Sequence, residues 1–514
     1  MAFFTSGNIQ GIQFKTLPCQ RLSDAELMQC KNLFDNHYGK WGEGSERKGQ
    51  QIRFPRSLYQ TYRNSENTYV ALAIDKGTII GQAFYLKTSL ENQKKIAWVL
   101  QLVVHEHYRM RGIAKTLLYS IWGFSDDYAW GLATSNALTV KTLEKATFRK
   151  VTPAEILKHK EDIIMIKESI PFAKDADVYI DETSSLLNSS FPVDRQVIEK
   201  NLSLYDGTWE LGELPQGHEW LAFTFQTQEY QMTQEEYNEM FENSEKIVND
   251  AYNRMELSKQ PWNRHQKDEV DFILDYLKPN SIRNVIDFGC GNGRHTLEFA
   301  CRNFHATGID YSPKNIQTAR QSAAGVGTTL DVQFIEGDCR NYNLTESADL
   351  ALCLYDVVGS FVQKKDNLDI IHNIYNHLNP QGILVLSVMN LELTSHIALH
   401  KVSNVSHHLD ALATLKPNRI MQKSGNIFDP DYFLLETDSG IVYRKEQFEN
   451  DEELSAEYVI RDKRYSRDEI CSLLTSANFH ILETRYVQAG RWNTSLDAHD
   501  HSAKEILIFA QRND

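Results

Sequence analysis

The stretch Val285-Ile286-Asp287-Phe288-Gly289-Cys290-Gly291-Asn292-Gly293-Arg294-His295 constrains this chain more than any other. An apolar strand ends in three alternating glycines, and a helix begins at once. Glycine reaches positive φ and lets a ligand approach the main chain, while a helix start offers free N–H groups. A turn that holds the diphosphate of a dinucleotide needs G-x-G-x-x-G, and Arg294 stands where its third glycine belongs. Asp287, a carboxylate just ahead of the glycines, suits a cofactor with a cationic amino group.

Around this turn, strand and helix alternate. Residues 284–288 read as a strand, 294–301 as a helix, 306–309 as a strand and 313–323 as a helix. Strands at 332–336 and 350–354, a helix at 368–378 and a strand at 382–388 follow. Such alternation predicts an α/β fold with a parallel sheet and helices on both faces. Asp310 ends the second strand, at a suitable distance for a carboxylate to bind two ribose hydroxyls. Gly337-Asp338-Cys339 ends the third, where an acid can accept from an adenine amino group. Ligands of open α/β sheets bind at these C-terminal strand ends.

The stretch closely resembles the class I S-adenosylmethionine-dependent methyltransferases, particularly small-molecule members with a G-C-G-x-G-R-H turn, over roughly residues 236–514. The resemblance implies a Rossmann-like sheet and S-adenosylmethionine as cofactor. Asp287, Gly289, Gly291 and Gly293 would line its methionine end, Asp310 would hold the ribose, and Asp338 and Cys339 would contact the adenine. Leu354-Tyr355-Asp356-Val357-Val358-Gly359-Ser360 matches the segment that flanks the methyl group. Methyl transfer requires an aligned nucleophile, exclusion of water and, for a protonated acceptor, a base. Asp356, Tyr355 and His295 are the candidate bases. Residues 390–447 read as an inserted β-rich lid over the acceptor pocket, and Trp262-Asn263-Arg264-His265-Gln266 and Arg491-Trp492 as segments that close it.

The first half carries a second pattern. Thr68–Ile74 and Thr78–Tyr85 form a hairpin through Asp75-Lys76-Gly77, and Lys95–Val104 is a nearly all-apolar strand, which predicts a central one. His105-Glu106-His107-Tyr108-Arg109-Met110-Arg111-Gly112-Ile113-Ala114 follows. Arg-x-x-Gly-x-Ala at a helix entry presents backbone N–H groups and the helix dipole to a pyrophosphate, and Arg109 and Arg111 add positive charge. Leu132-Ala133-Thr134-Ser135-Asn136 then ends a strand and leads into a helix through Thr142–Lys145 that closes at Phe148.

This ensemble resembles the GNAT-type N-acetyltransferases, with a motif core at about residues 68–150. The resemblance implies a mixed sheet and acetyl-CoA as cofactor. The main chain from Arg109 through Gly112 to Ala114 would bind the pyrophosphate. The strand edge at Val103 and Val104 would pair with the pantetheine amides, and Asn136 would sit near the thioester. Leu143 stands where the family has a tyrosine that protonates the leaving thiolate, and Thr147 where it has a glycine. Lys95–Val104 carries no carboxylate to deprotonate an amine, which leaves His105 and Glu106 as possible bases.

Charge divides the chain. Residues 1–228 balance 26 Lys and Arg against 26 Asp and Glu, while residues 229–514 hold 28 against 43, the whole of the net −15. The shift falls beside the polar run Gln226–Gln231 and a helical pattern through Tyr237, Met240, Phe241, Ile247, Val248, Ala251 and Tyr252. Two domains are expected, residues 1–228 and 229–514. An acidic half repels phosphate backbones, so DNA is not an expected partner. A start without a basic segment and apolar run, and the lack of any 18-residue apolar window, predict neither signal peptide nor membrane span. Seven sparse, unpatterned cysteines predict a reduced, cytoplasmic protein without a disulfide scaffold, and no metal site is expected from the 17 histidines. The reading is a bifunctional transferase acting on small-molecule N or O acceptors. The alternative is a methyltransferase for protein or tRNA whose GNAT-like domain only recruits substrate.

Overall fold

The computed structural model describes residues 12–90, 93–122, 127–205, 207–229, 231, 251–278, 282–327, 329–448 and 456–514. The chain divides into two compact units, residues 2–233 with 448–457 and residues 234–447 with 458–514. Of the helical pattern expected at 237–252, Tyr237, Met240, Phe241, Ile247 and Val248 lie outside the described residues, whereas Ala251 and Tyr252 are helical.

The first unit is built on eight strands: β1 Ile12–Pro18, β2 Thr68–Asp75, β3 Thr78–Ser89, β4 Lys95–Val104, β5 Ala129–Thr134, β6 Val178–Ile180, β7 Ser185–Asn188 and β8 His218–Phe225. They order as β1-β2-β3-β4-β5-β8-β7-β6. β4 and β5 run parallel and every other neighbouring pair antiparallel. β4 reads as a continuous apolar run because it lies mid-sheet with both faces covered. The helices Asp24–His37 and Arg56–Asn64 put Leu27, Leu33, Phe34, Tyr59 and Tyr62 onto one face, against Leu72, Phe84 and Val103. The helix Ile113–Trp122 covers the other, so close to β3 that a side chain at Gly81 would meet Ile113 and Leu117.

One register break shapes this unit. β4 pairs with β5 only from Ile96↔Ala129 to Val99↔Leu132, while its other edge stays paired with β3 as far as Gly81↔Val104. The C-terminal ends of β4 and β5 therefore part.

In the second unit β9 Asn284–Phe288, β10 His305–Asp310, β11 Val332–Glu336, β12 Ala348–Cys353 and β13 Leu378–Met389 form the parallel core. β14 His400–Val402, β15 Pro417–Asn418, β16 Phe433–Glu436, β17 Ile441–Phe448 and β18 Ala456–Lys463 form a separate inserted sheet. β19 Phe479–Gln488, β20 Arg491–Leu496 and β21 Glu505–Arg512 return to the main sheet, whose order is β11-β10-β9-β12-β13-β21-β19-β20. The parallel sheet expected from the alternation is present in β9–β13, and β21 and β19 extend it as antiparallel strands. The inserted sheet also runs past the expected Gln447 limit to Lys463, because β18 pairs with β17. Helices cover both faces of the main sheet, Lys364–His377 and Arg467–Ser476 on one side, Gln266–Leu277 and Arg294–Cys301 on the other. Trp492 is buried in this second layer and Arg491 is exposed.

Candidate functional site

A cleft of about 910 Å³, its mouth included, opens at the C-terminal ends of β9, β10, β11 and β12. Asp287, Gly289, Gly291, His295, Asp310, Asp338, Cys339, Leu354 and Tyr355 all line it. The turn that starts it is tied to the neighbouring strand, since the amides of Gly289 and Cys290 both donate to the Ile309 carbonyl, at 2.8 and 2.9 Å. Gly289 takes φ 75° and Gly291 φ 57°, conformations that glycine adopts without strain.

Asp310 is held by main chain. Its Oδ2 accepts from the Gly291 amide and its Oδ1 from the Ser312 amide, each at 2.9 Å. The carboxylate, also bonded by the Asn315 side chain, keeps acceptor capacity, and the residue lines the cleft. Burial raises the carboxyl pKa of both Asp310 and Asp287. Asp287 is 3% exposed and accepts from Thr296 Oγ1 at 2.7 Å. Asp338 is already engaged by Arg340, whose guanidinium grips it and also reaches Asp366 at 3.0 Å. Burial works against the Asp338 charge, but these bonds outweigh it and hold the carboxyl below its usual value.

Two expected site residues do not reach the cleft. Gly293, expected at the methionine end, sits at the N-terminus of the helix Arg294–Cys301 with φ 77°. A side chain there would approach Phe334 to 2.5 Å and Ala319 to 2.8 Å, so this glycine serves close packing. Asp356, expected as a base, is buried behind the cleft wall, where its Oδ1 accepts from the Met389 amide at 3.2 Å. Burial, then the nearby Asp462 carboxylate, pushes its pKa far up, with Arg464 and Arg444 opposing. It belongs to a buried charge network facing the inserted sheet.

Tyr355 and His295 do reach the cleft, through a residue that the sequence reading passed over. Glu269, 1% exposed on the helix Gln266–Leu277, accepts from His295 Nε2 at 2.7 Å, Arg294 Nη1 at 3.1 Å and the Gly490 amide at 2.9 Å. It also accepts from the Tyr355 hydroxyl. Burial alone would raise its pKa, but the His295 bond and charge, the Arg294 charge and the Tyr355 bond reverse this and hold it at about 2. Tyr355 is kept protonated by burial and by the nearby Glu505 and Glu269 carboxylates, which corrects its expected use as a base. Burial, then the Arg294 charge, lowers the His295 pKa and favours neutral imidazole. With Nε2–H donated to Glu269, Nδ1 is the acceptor nitrogen, a tautomer assigned from the hydrogen bonding.

The Arg294 guanidinium lies over the Tyr355 ring at 4.4 Å and the Trp262 ring at 5.4 Å, and those rings stack with centroids 5.0 Å apart. Its Nη2 is buried without a partner, and the residue lines the cleft. Tyr355 and Asp356 are consecutive residues with φ 61° and 68°, a strained pair held by Ser387, whose hydroxyl and carbonyl accept from their two amides. The sequence did hold a signal for Glu269: an acid beside Val270 on the buried stripe of an amphipathic helix. Arg294 enters the sequence pattern only as the residue that breaks the dinucleotide spacing and as part of the G-C-G-x-G-R-H turn.

In the first unit the loop before the helix Ile113–Trp122 is exposed, with Met110 at φ 59° and Gly112 at φ 80°. The first-turn N–H groups, through half-buried Ala114, have no partner within the helix. Arg109 keeps its positive charge at this loop and is tied to the main chain. Its Nε donates to the Val104 carbonyl at 3.0 Å and its Nη2 to the His37 carbonyl, so the guanidinium braces the loop. Val104, expected to face pantetheine, thus has its carbonyl engaged within the chain. Arg111 is exposed, 5.2 Å over the Tyr108 ring. Asn136 caps the helix Ala137–Thr147, its side-chain oxygen accepting from the Leu138 amide and from Asn201, each at 3.1 Å. Leu143 is fully buried.

Residues 285–382 match the family model described as methyltransferase domain, and residues 31–134 match that of the acetyltransferase (GNAT) family. The chain is 24% identical over 131 residues to the glycine/sarcosine N-methyltransferase of Halorhodospira halochloris, covering 26% of this chain and 49% of that protein. It is 32% identical over 122 residues to the carboxy-S-adenosyl-L-methionine synthase of Wolinella succinogenes, covering 23% and 48%. The chain thus spans about half the length of the curated relatives it matches. A solved S-adenosylmethionine-dependent methyltransferase from Clostridium acetobutylicum aligns at 16% identity and TM-score 0.36, over 48% of this chain and 92% of that one. This chain therefore joins two transferase domains, an acetyltransferase domain of the GNAT family matched at residues 31–134 and a methyltransferase domain matched at residues 285–382.

Proposed function

We propose that the second unit transfers a methyl group from S-adenosylmethionine to a nitrogen or oxygen of a small molecule, and that the first transfers an acetyl group from acetyl-CoA to an amine. The observation that carries the first part is the convergence of the Gly289–Gly291 turn, the Asp310 carboxylate and the unpartnered Arg294 Nη2 on one cleft. Asp310 suits a ribose diol, and the Arg294 guanidinium suits the carboxylate of an amino acid moiety. When bound, the cofactor supplies an electrophilic methyl group on sulfur. The chain's own part is to align the acceptor along the Trp262–Tyr355 face and to take its proton, for which neutral His295 is the available base.

Titration calorimetry with S-adenosylmethionine and S-adenosylhomocysteine tests the cofactor assignment. Incubating the protein and cell extract with methyl-labelled cofactor, then fractionating by size, tests the acceptor class. Label retained on protein or RNA would favour the macromolecular reading and overturn the small-molecule one.

For the first unit, the parted ends of β4 and β5 and the exposed glycine loop at a helix N-terminus support acyl-CoA binding. Leu143 is buried in the core, so the domain lacks a phenol at that position and must manage its protons elsewhere. Seven free thiols suit a reducing compartment and support a cytoplasmic location. No helix among the described residues is long and apolar enough to cross a membrane.

A further inference from the structure

The first unit buries one carboxylate that stands apart from its other acids. Among its described residues three acids are buried: Asp127, Asp162 and Glu219. Asp127 lies 3.1 Å from Lys87 and Asp162 lies 2.7 Å from Lys94. Glu219, 9% exposed, forms no ion pair with a described residue, and burial raises its carboxyl pKa with only Ser189 opposing. A buried acid without a counter-ion destabilises the fold that holds it, and such groups concentrate at functional sites.

Its place in the sheet gives that acid a task. Glu219 lies on β8, and the next residue, Trp220, pairs with Thr134 at the C-terminal end of β5. That is the end at which β4 and β5 have parted. Successive strand residues face opposite sides of a sheet. Trp220 packs on Trp209, which lies under Lys141 of the helix Ala137–Thr147. Glu219 faces the other side, the one covered by the helix Asp24–His37. The glycine- and aromatic-rich loop that follows Tyr38 is locked onto residues 192–194. Trp41 bridges to Val193, and Gly42 approaches Val193 so closely that any side chain would collide. Glu219 therefore stands one residue beyond the Trp220–Thr134 pair, at the end of β5 where the wedge opens, on the face away from the exposed glycine loop's helix.

We propose that Glu219 is the acceptor-binding carboxylate of the acetyltransferase domain, receiving the ammonium group of a small primary amine and taking one proton from it. The carboxylate becomes a carboxylic acid and the ammonium a neutral amine. The amine nitrogen then forms the C–N bond to the thioester carbonyl carbon as the C–S bond breaks. The second amine proton passes to the leaving thiolate, and Glu219 returns its proton to solvent. The proposal rests on the acyl-transfer reading above.

The test uses the full chain with acetyl-CoA and a panel of small primary amines (ethanolamine, putrescine and phenethylamine), reading thiol release. Glu219→Gln is expected to lower kcat/KM by about 100-fold or more, with acetyl-CoA affinity by calorimetry unchanged. Glu219→Asp is expected to restore part of the rate, and the wild-type rise of activity with pH is expected to vanish in the Gln variant. Amine acetylation that persists in Glu219→Gln overturns the assignment while sparing the acyl-transfer reading. Wild-type protein that binds acetyl-CoA but acetylates none of the amines also overturns it. Wild-type protein that fails to bind acetyl-CoA overturns the underlying reading as well.

Discussion

The Tyr355 hydroxyl donates to Glu269 across 86 positions of sequence, and that bond fixes a ring that lines the cleft of the second unit. Glu269 simultaneously orients His295 and Arg294, so one buried carboxylate fixes three side chains that line the cleft. Replacing it with Gln removes a negative charge from beside a buried guanidinium. Breaking such a pair costs about 3–5 kcal/mol. Glu269→Gln is expected to lower the Tm and to weaken S-adenosylhomocysteine binding, and thermal melts with calorimetry check both.

Glu505 makes the stability of this unit depend on pH. It pairs in register with Met389 and Val487, is buried, and leaves Oε2 without a partner. Burial raises its pKa to about 7, opposed by Ser387 and raised further by Glu269, with Arg294 and Lys504 favouring the charge. The unfolded carboxyl titrates near 4.3. The folded state therefore binds more protons between that value and about 7, and stability falls as pH rises through this window. The loss amounts to about 4 kcal/mol. Glu505→Gln is expected to raise the Tm at pH 8 and leave it nearly unchanged at pH 4.5.

Glu269 works in the opposite direction. Its folded pKa of about 2 lies below the unfolded value, so its stabilisation is complete above about pH 4.5 and disappears as pH falls through 2. Acid unfolding followed by circular dichroism is expected to lose this component in Glu269→Gln.

Asp310→Ala removes the acceptor offered to a ribose together with the anchor of the Gly291 amide. Affinity for S-adenosylhomocysteine is expected to fall by about 100-fold, as for the loss of two charge-assisted bonds. Unchanged affinity in calorimetry would contradict the cofactor orientation.

The glycines separate packing from binding. Gly293→Ala combines positive φ with collisions on Phe334 and Ala319, and a loss of about 1–3 kcal/mol is expected in urea unfolding. At Gly291 an added Cβ comes no nearer than 3.6 Å, to Leu257. Gly291→Ala is therefore expected to melt closer to the wild type and to show its main defect in ligand affinity.

Local chemistry was enough to read most of the framework. β4, β9, β11 and the helix Arg294–Cys301 fall where apolar runs, periodicity and glycine punctuation put them, because these features act within a few residues. The same holds for the strand-end acids Asp287, Asp310 and Asp338, each placed by the strand that precedes it. The antiparallel return of β19 to β21 was not legible, since strand direction in a sheet depends on connections that leave no local pattern.

By itself, then, the sequence determined two sheets, their glycine turns and the acids at their strand ends. Only the tertiary structure decided which side chains face a ligand. Gly293 and Asp356 belong to motifs yet turn into packing and a buried charge network, while Glu269 belongs to no motif and holds the cleft together. Its partner Gly490 lies 221 positions away. A carboxylate's partners and charge state follow from what the folded chain brings within hydrogen-bond reach and removes from water, and neither quantity is written in the neighbouring residues.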